Sequence, residues 1–414
     1  MTSFSIQNFG CRVNQAEAFL WANDFQKHGL KLERDFRSSD IVLVNTCTLT
    51  SRADRDVRKF VRKVARLNPE AKLIVTGCSV ERMYEEFRTI PQVWRIFPNN
   101  EKKDLASKVL SIIDAQDQVL LKPFRSRALL KIQDGCNFGC TFCIIPQVRG
   151  KSISFEKEEI LAQVKKFISQ GFRELVLTGI HLSSYGHDLK PRSSLLELLQ
   201  EIEKLEGLGR IRLSSLDPRF LSPALIDYLT ISKKICPHFH LSLQHGSDRV
   251  LELMGRKIKV KDFEGILSRL RENSPDASLG ADIIVGFPGE QEEDFQATFD
   301  FLERSPLTYF HVFSYSARPG TLASNWPQVE EKIKKKRAAI LRNLSAKKNL
   351  KFRRLFLGRE CEAIVVEKEK DSVKVLTSNY FKVIVPTCSH EEGEELTIKI
   401  TQVNARETLG EICS

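Results

Sequence analysis

The chain has 414 residues, which is too long for one ordinary hydrophobic core and predicts two or three domains. Its 42% hydrophobic and 28% charged residues fit a soluble globular protein, and no apolar run reaches the roughly 20 residues that span a bilayer. Lys and Arg number 64 against 53 Asp and Glu, and this net charge of +11 favours a polyanionic partner such as nucleic acid, although many soluble proteins are mildly basic.

The N-terminal segment, residues 1–118, lacks the basic start and apolar stretch of a signal peptide, so a cytoplasmic location is expected. Apolar runs at 41–45 and 72–76 predict buried strands, and each leads into a cysteine-bearing loop. Between them, 53–67 predicts a basic amphipathic helix that ends before Pro69. This order predicts a parallel sheet whose site lies at the strand C-termini.

The central segment, residues 122–345, predicts six strand–helix units and therefore a complete or partial (β/α) barrel. The predicted strands are 129–133, 175–178, 211–214, 240–243, 281–285 and 309–313. The predicted helices between them include 156–170, 195–205 and 292–304. A charged helix from Val329 to about Phe352 is expected to lead outward from this barrel.

The C-terminal segment, residues 355–414, consists of short apolar runs separated by polar turns. Strands are predicted at 362–367, 372–376, 382–386 and 396–403, which together predict a small β-barrel. The fold class is therefore α/β: an N-terminal domain with a parallel sheet, a central partial barrel and a small C-terminal β-barrel.

Three cysteines, Cys136, Cys140 and Cys143, follow the first strand of the predicted central barrel. Three soft thiolates within eight residues favour an iron–sulfur cluster, and a cubane held by three ligands leaves one iron open for catalysis. Gly135 and Gly139 are expected to let the backbone wrap closely around such a cluster. A zinc site or a chance group of buried cysteines is the alternative.

Three further cysteines, Cys11, Cys47 and Cys78, precede this triplet, and two of them follow predicted strands. Loops after parallel strands converge, so these thiolates can ligate a second cluster with one iron free. Separate buried cysteines are the alternative, because unpaired cysteine is often buried.

The Cys-x3-Cys-x2-Cys spacing resembles the signature of the radical S-adenosylmethionine (SAM) superfamily. The resemblance implies that the open iron of a 4Fe-4S cluster on Cys136, Cys140 and Cys143 binds SAM. Cleavage of SAM then yields a 5′-deoxyadenosyl radical that abstracts hydrogen from carbon. The cofactor supplies this chemistry, while the protein supplies orientation and exclusion of water.

The sequences GCRVN, NTC and GC ahead of the triplet resemble the methylthiotransferase family over nearly the whole chain. That resemblance implies an auxiliary 4Fe-4S cluster on Cys11, Cys47 and Cys78, and a C-terminal TRAM domain that binds RNA. It also implies that SAM acts both as methyl donor and as radical source. An electron donor such as flavodoxin or ferredoxin and a sulfur donor are the implied partners.

Within the family, NTCTLT, DGCNFGCTFCIIP and LTGIH resemble the branch that acts on threonylcarbamoyl-adenosine in tRNA. This resemblance implies methylthiolation of that nucleoside at tRNA position 37, in the anticodon stem-loop. Gln147-Val148 and Ser79-Val80 depart from the pattern expected for the branch. The alternatives are the branch acting on N6-isopentenyladenosine, a ribosomal-protein methylthiotransferase, and a non-catalytic iron–sulfur RNA-binding protein.

The resemblance also implies SAM-binding positions, and ordinary packing at strand ends is the alternative for each. The positions are Ile144 and Ile145 after the triplet, Thr178 and Gly179, Ser214 and Ser215, Gln244, and Ile284 with Gly286. Histidines 181, 240 and 245 also lie near strand ends, where a structural hydrogen bond is the more common role.

Two kinds of residue are candidates for RNA contact. Electrostatic candidates are Arg55, Arg58, Lys59, Arg62, Lys63 and Arg66 on one predicted helix, and Lys332 to Arg337 on another. In the C-terminal barrel, Tyr380 and Phe381 are candidates for base stacking and Lys382 for phosphate contact, unless the aromatic rings form the core. Cys236, Cys361, Cys388 and Cys413 have no assigned role, and the last three are expected to be structural or surface thiols.

Overall fold

The computed structural model describes residues 2–113, 126–387 and 389–413, and these residues form two compact units. The first unit contains the described N-terminal residues together with Asp134–Ile153 and Ser316–Ser324. The second contains Ser154–Tyr315 and the remaining described residues before Asp134 and after Ser324. The predicted boundary between 118 and 122 and the predicted surface thiol Cys388 lie outside the described residues.

The first unit is built on a parallel sheet with the strand order β2-β1-β3-β4-β5. Its strands are β1 (Ser3–Asn8), β2 (Lys31–Leu32), β3 (Ile41–Thr46), β4 (Lys72–Gly77) and β5 (Val93–Phe97). The predictions of β3 and β4 are confirmed, because both are continuous apolar runs buried on two faces. The sequence prediction missed β1, where short polar residues alternate with Phe4 and Ile6.

Helices cover this sheet and bury their apolar stripes against it. They are α1 (Arg12–Lys27), α2 (Ser51–Leu67), α3 (Val80–Arg88) and α4 (Leu105–Ile112), with the short α5 (Ile145–Arg149) in the same unit. Thr50 caps α2 by accepting a hydrogen bond from the Ala53 amide, and Val57, Val61 and Val64 pack on the strands. This confirms the predicted amphipathic helix.

The second unit contains the predicted partial barrel of parallel strands. Its strands are β6 (Ala128–Asp134), β7 (Ile153–Ser154), β8 (Glu174–Gly179), β9 (Arg210–Leu213), β10 (His238–Gln244), β11 (Ser278–Val285) and β12 (Tyr309–Ser314). They form the sheets β7-β6-β8-β9 and β10-β11-β12, and parallel bridges join Ile211 to Ile235 and Leu216 to Leu241 between them.

Helices alternate with these strands along the chain. They are α6 (Lys157–Ser169), α7 (Leu195–Glu203), α8 (Pro223–Ile231), α9 (Asp248–Leu253), α10 (Val260–Asn273), α11 (Glu292–Arg304) and α12 (Glu331–Arg354). The expectation that the last helix leads outward is wrong. The Ser345 hydroxyl exchanges hydrogen bonds of 2.8 and 2.9 Å with the backbone of Phe310, because α12 packs along β12 with Ala338 and Leu341 buried.

The C-terminal residues of the second unit form a closed barrel with the strand order β13-β14-β15-β17-β16. Its strands are β13 (Glu360–Lys368), β14 (Val373–Thr377), β15 (Lys382–Val385), β16 (Glu395–Val403) and β17 (Thr408–Ile412). The small β-barrel is therefore confirmed, and β17 is a strand that the sequence prediction missed. In the part of the chain that the structure describes, no helix is both long and apolar enough for a membrane span.

Candidate functional site

Three thiols of the first unit lie at one edge of its parallel sheet. Cys11 is the N-cap residue of α1, while Cys47 and Cys78 directly follow β3 and β4. Since β1, β3 and β4 are neighbours with their carboxyl ends together, the three side chains converge, as the sequence predicts. Each also lies within electrostatic reach of the others: Cys78 and Cys11 both act on Cys47.

Two glycines allow the backbones of these loops to approach closely. A Cβ on Gly10 would lie 2.6 Å from the Cβ and 2.7 Å from the Sγ of Cys47, and its φ is +95°. A Cβ on Gly77, with φ +104°, would lie 2.4 Å from the Thr46 carbonyl oxygen. Any larger residue at either position would separate the thiol-bearing loops.

Burial favours the protonated form of two of these thiols, Cys11 and Cys47, in the absence of a cation. Cys47 and Cys78 are buried and Cys11 is partly buried. Desolvation raises the pKa of Cys47 to about 12 and also raises the pKa of Cys11. An unassisted thiolate nucleophile is therefore disfavoured here, whereas a metal centre that deprotonates its ligands suits three converging soft donors.

Charged side chains that the sequence analysis did not select lie beside the three thiols. The Arg149 guanidinium donates to the Cys78 sulfur at 3.2 Å, and the Lys102 ammonium lies 2.6 Å from a Glu17 carboxylate oxygen. Lys102 and Glu17 are each 4% exposed. Glu17 is one of the buried residues of α1, and a carboxylate at a core-facing helix position is the sequence signal for it.

The cysteine triplet Cys136, Cys140 and Cys143 lies in the loop after β6, and all three side chains are partly exposed. The loop closes on itself through the Cys136 amide, which donates to the Gly150 carbonyl at 3.1 Å. Gly135 has φ +67°, and a Cβ there would lie 2.0 Å from the Lys151 carbonyl oxygen. Position 135 therefore requires glycine for the close approach of the loop to its own base, while the wrapping around a cluster stays a prediction.

The expectation for Gly139 finds no support in the packing, since no described atom outside its chain neighbours lies within 4 Å of a Cβ built there. The triplet loop is instead held by residues 316–324 of the same unit. The Ala323 amide donates to the Thr141 carbonyl at 2.9 Å, and the Gln147 side chain donates to the Gly320 carbonyl at 2.5 Å.

Three hydroxyl groups of the second unit are buried at the C-terminal ends of neighbouring strands and have no hydrogen-bond partner among the described residues. Thr178 is in β8, while Ser214 and Ser215 follow β9. A buried hydroxyl without a partner costs free energy, so three at adjacent strand ends indicate a place for a polar ligand. These are residues that the sequence analysis assigns to SAM.

The other predicted SAM contacts occupy strand ends and turns. In the second unit, Gly179 ends β8, Gln244 ends β10 with φ +86°, Ile284 lies near the end of β11, and Gly286 follows it with φ +69°. Gln244 is a residue type that rarely adopts positive φ, which is typical of a functional position. In the first unit, Ile144 and Ile145 are buried where α5 begins.

The histidines near the strand ends all have hydrogen-bonding or ionic neighbours. His181 Nε2 lies 3.1 Å from Asp217 Oδ2, and His245 Nε2 lies 3.6 Å from Glu290 Oε2. His240 lies 3.0 Å from both Asp282 Oδ1 and the Tyr309 hydroxyl. These contacts agree with the structural role expected for the three residues.

His311 adds a second imidazole to this last group, with Nδ1 3.7 Å from Asp282 Oδ1. The ligand atoms of His240, Asp282 and His311 lie within 4.8 Å of one another on three adjacent strands. Both ring nitrogens of His240 already have partners, so hydrogen bonding accounts for the cluster without a metal ion.

Some of the predicted RNA-contact residues are exposed in the structure, whereas others are paired or buried. On α2, Arg58 is paired with Glu86 at 2.8 Å, while Arg55, Lys59, Arg62, Lys63 and Arg66 are exposed. On α12, the prediction is wrong for Lys334 and Arg337. Both side chains are buried, Lys334 is paired with Glu331, and Arg337 is paired with Glu290.

In the C-terminal barrel, the predicted stacking platform is also wrong. Phe381 is buried in the barrel core, and the Tyr380 ring stacks on His238 with 4.1 Å between centroids. Lys382 is exposed and remains a candidate for phosphate contact. The unassigned Cys236 is buried, and burial raises its pKa to about 11. Cys361 and Cys413 are partly buried in the closed barrel.

Comparison with known proteins places both cysteine triads in recognised sequence families. Residues 130–302 match the radical SAM superfamily, and residues 3–97 match a family described as uncharacterized protein family UPF0004. The chain is 38% identical to the threonylcarbamoyladenosine tRNA methylthiotransferase MtaB of Aquifex aeolicus, over 92% of this chain and 95% of that protein.

Other relatives fall into two groups. The MtaB protein of Chlamydia pneumoniae is 34% identical over 99% of this chain and 98% of its own length. The tRNA-2-methylthio-N(6)-dimethylallyladenosine synthase of Dictyoglomus thermophilum is 33% identical over 100% of this chain and 99% of that protein.

Solved structures with a similar fold have low sequence identity. The radical SAM methyltransferase TsrM of Kitasatospora setae superimposes with a TM-score of 0.55 at 16% identity, covering 78% of this chain and 77% of that one. The radical SAM enzyme OxsB gives a TM-score of 0.51 at 10% identity, covering 78% of this chain and 55% of that one. These similarities establish the fold alone.

Proposed function

Because this chain belongs to the tRNA methylthiotransferase family of radical SAM enzymes, we propose that it converts N6-threonylcarbamoyladenosine at position 37 of tRNA to its 2-methylthio derivative. The observation that carries the substrate assignment is the similarity to MtaB proteins, which reaches 38% identity over 92% of the chain. The similarity to a dimethylallyladenosine synthase, 33% over the full chain, makes N6-isopentenyladenosine the second candidate substrate.

The radical SAM fold implies SAM and a 4Fe-4S cluster. In our proposal Cys136, Cys140 and Cys143 hold that cluster, which when bound supplies the electron that cleaves SAM to a 5′-deoxyadenosyl radical. The partly exposed triad and its anchored loop support this assignment. The buried hydroxyls of Thr178, Ser214 and Ser215 would bind polar groups of SAM.

Cys11, Cys47 and Cys78 would hold a second 4Fe-4S cluster, which supplies the site for the transferred sulfur. Their convergence at one sheet edge and the close approach at Gly10 support this proposal. In this scheme SAM also donates the methyl group, and an external electron donor and sulfur donor complete the reaction.

The tRNA substrate requires a basic surface, which the exposed residues of α2 offer. The closed barrel from β13 to β17 would serve as a TRAM domain that contacts RNA through residues such as Lys382. Its small closed architecture resembles folds that bind oligonucleotides.

The proposed function is tested by mass spectrometry of tRNA nucleosides from cells with and without this gene. We expect the deletion to remove 2-methylthio-N6-threonylcarbamoyladenosine, and a wild-type copy to restore it. Copies carrying Cys11→Ala or Cys140→Ala should fail, whereas a Cys413→Ala control, altered outside both triads, should restore the product.

Loss of the prenylated methylthio nucleoside instead would favour the second candidate substrate. An unchanged tRNA profile would contradict a tRNA substrate and direct the search to ribosomal proteins. A purified chain that binds iron but forms no 5′-deoxyadenosine from SAM would support the non-catalytic alternative.

A further inference from the structure

One buried arginine of the first unit contacts residues of both cysteine-bearing regions. The Arg149 side chain is 1% exposed, and its Nε donates to the Cys78 sulfur at 3.2 Å. Nη1 donates to Asp134 at 2.8 and 2.9 Å and to Glu17 at 3.1 Å, while Nη2 donates to Asn14 at 2.5 Å. All three guanidinium nitrogens thus have fixed partners, which sets the orientation of the group.

The pair of Arg149 with Asp134 closes the base of the triplet loop. Asp134 lies two residues before Cys136, and Arg149 lies six residues after Cys143. The Asp134 carboxylate also accepts from the Gly135 amide at 2.8 Å. Arg149 therefore follows the cysteine triplet closely along the chain, while its Nε donates to the sulfur of Cys78.

The arginine and its charged neighbours comprise two cations and two anions. Their charges cancel before any thiolate is counted. Arg149 and Lys102 are cations, while Glu17 and Asp134 are anions. Thiolates at Cys11, Cys47 and Cys78 would add negative charge to a buried region, where unpaired charge is costly. The Arg149 Nε–H on the Cys78 sulfur is the contact that offsets this charge directly.

Arginine suits this position better than lysine for a geometric reason. The planar guanidinium can donate hydrogen bonds to two carboxylates through Nη1 while Nε donates in a different direction. It also stays charged when buried. A lysine offers a single ammonium that cannot occupy both positions. The network therefore requires the shape of the guanidinium as well as its charge.

We propose that Arg149 is a positioning residue that donates a hydrogen bond to the Cys78 ligand of the second cluster and thereby raises the reduction potential of that cluster. The inference rests on the proposed function, which places a cluster on Cys11, Cys47 and Cys78. A hydrogen bond to a ligand sulfur stabilises the more negative, reduced state, so its loss makes reduction harder.

The test is a potentiometric titration of the full-length, iron-reconstituted chain carrying Cys136→Ala, Cys140→Ala and Cys143→Ala, so that only the second cluster contributes. In this background Arg149→Met should make reduction at least tenfold less favourable, which is a fall of 59 mV for one electron. Arg149→Lys, which keeps the charge but loses the fork, should give a smaller fall.

The control is Arg58→Met in the same background. Arg58 also lies in the first unit, and its Nε donates to a Glu86 carboxylate at 2.8 Å rather than to sulfur. We expect this variant to keep the potential of the parent chain. Equal potentials for Arg149→Met and the parent, at full iron content, would overturn the inference.

Iron content separates this inference from the proposed function. If the parent chain without Cys136, Cys140 and Cys143 binds no cluster, the proposed second cluster is refuted and the inference fails with it, whereas the tRNA substrate is tested separately by the nucleoside analysis. If the parent binds a cluster and Arg149→Met does not, Arg149→Lys decides: a lowered potential supports the inference, and an unchanged potential overturns it.

Discussion

At the scale of single residues, the buried hydroxyls at the ends of β8 and β9 favour a bound polar ligand over simple packing. Most buried hydroxyls are paired. The Ser278 hydroxyl at the start of β11, for example, lies 3.1 Å from the Thr308 hydroxyl. Within the part of the chain that the structure describes, Thr178 and Ser214 have no such partner. The free energy lost by burying them is recovered only when a ligand accepts or donates a hydrogen bond.

We therefore predict that Thr178→Val and Ser214→Ala each weaken SAM binding about tenfold, the loss expected for one hydrogen bond of about 1.4 kcal/mol. Neither change should lower the melting temperature, since no intramolecular bond is removed. Equilibrium binding of SAM to the reconstituted enzyme and thermal unfolding of the same samples measure the two effects.

The control for this prediction is Ser278→Ala. It removes a paired hydroxyl, so it should lower stability slightly and leave SAM affinity unchanged. Wild-type affinity in both strand-end variants would show that these hydroxyls do not contact the cofactor.

At the scale of elements, α2 combines a buried and a basic face. Val57, Val61 and Val64 pack on the sheet, while Arg55 and Lys59 point away from it and are exposed one turn apart. Arg58 is partly neutralised by Glu86. A helix face with unneutralised cations at this spacing suits contact with successive phosphates of an RNA backbone.

We predict that the double variant Arg55→Gln and Lys59→Gln weakens tRNA binding and reduces the slope of log K against log salt by about one for each phosphate that the variant no longer neutralises. Filter binding or fluorescence anisotropy over a range of salt concentrations measures both. The matched control is Lys165→Gln with Lys166→Gln, which removes two exposed cations from α6. Equal slopes in the two double variants would contradict a role for α2.

At the scale of the whole molecule, a buried ionic network joins the partial barrel to the closed barrel inside the second unit. The Arg212 side chain is fully buried, with Nε 2.9 Å from Glu174 Oε1 and Nη1 donating to the Ser378 carbonyl at 2.9 Å. Burial alone would raise the pKa of Glu174, but Arg212, Arg127 and Arg210 lower it below its usual value. The carboxylate therefore stabilises the folded state only while it is ionised.

The sign of the pH dependence follows from that lowered pKa. The contribution of Glu174 to stability is fully present above its unfolded pKa of about 4.3 and is lost as the pH falls through the lower folded value. We predict that Glu174→Gln costs about 3–5 kcal/mol near neutral pH, because Arg212 loses its charged partner. The acid dependence of the melting temperature should become shallower in this variant.

Thermal unfolding of the chain between pH 3 and pH 7 checks this prediction. Glu201→Gln, which removes an exposed carboxylate paired with Lys204, should change neither the neutral stability nor the acid slope appreciably. An acid slope identical to that of wild type in Glu174→Gln would show that another group controls acid unfolding.

Local sequence pattern predicted much of the fold and both candidate cysteine triads. A strand that is buried on both faces has a continuous run of apolar residues in the sequence. Such runs predicted β3 and β4, and six spaced strands predicted the partial barrel. The tight spacing of Cys136, Cys140 and Cys143 predicted one candidate site without any tertiary information. The strand β1 was missed since its polar alternation gives only a weak signal.

Contacts between side chains that are distant in the sequence became visible only in the folded chain. Arg149, Glu17 and Lys102 come together beside Cys78 from separate segments, and such long-range pairing leaves no periodic trace in the sequence. The same holds for Tyr380, which is packed on His238, and for Arg337, which is buried against Glu290. Residue type and local spacing predict which residues can carry the chemistry, and long-range packing places a subset of them to use it.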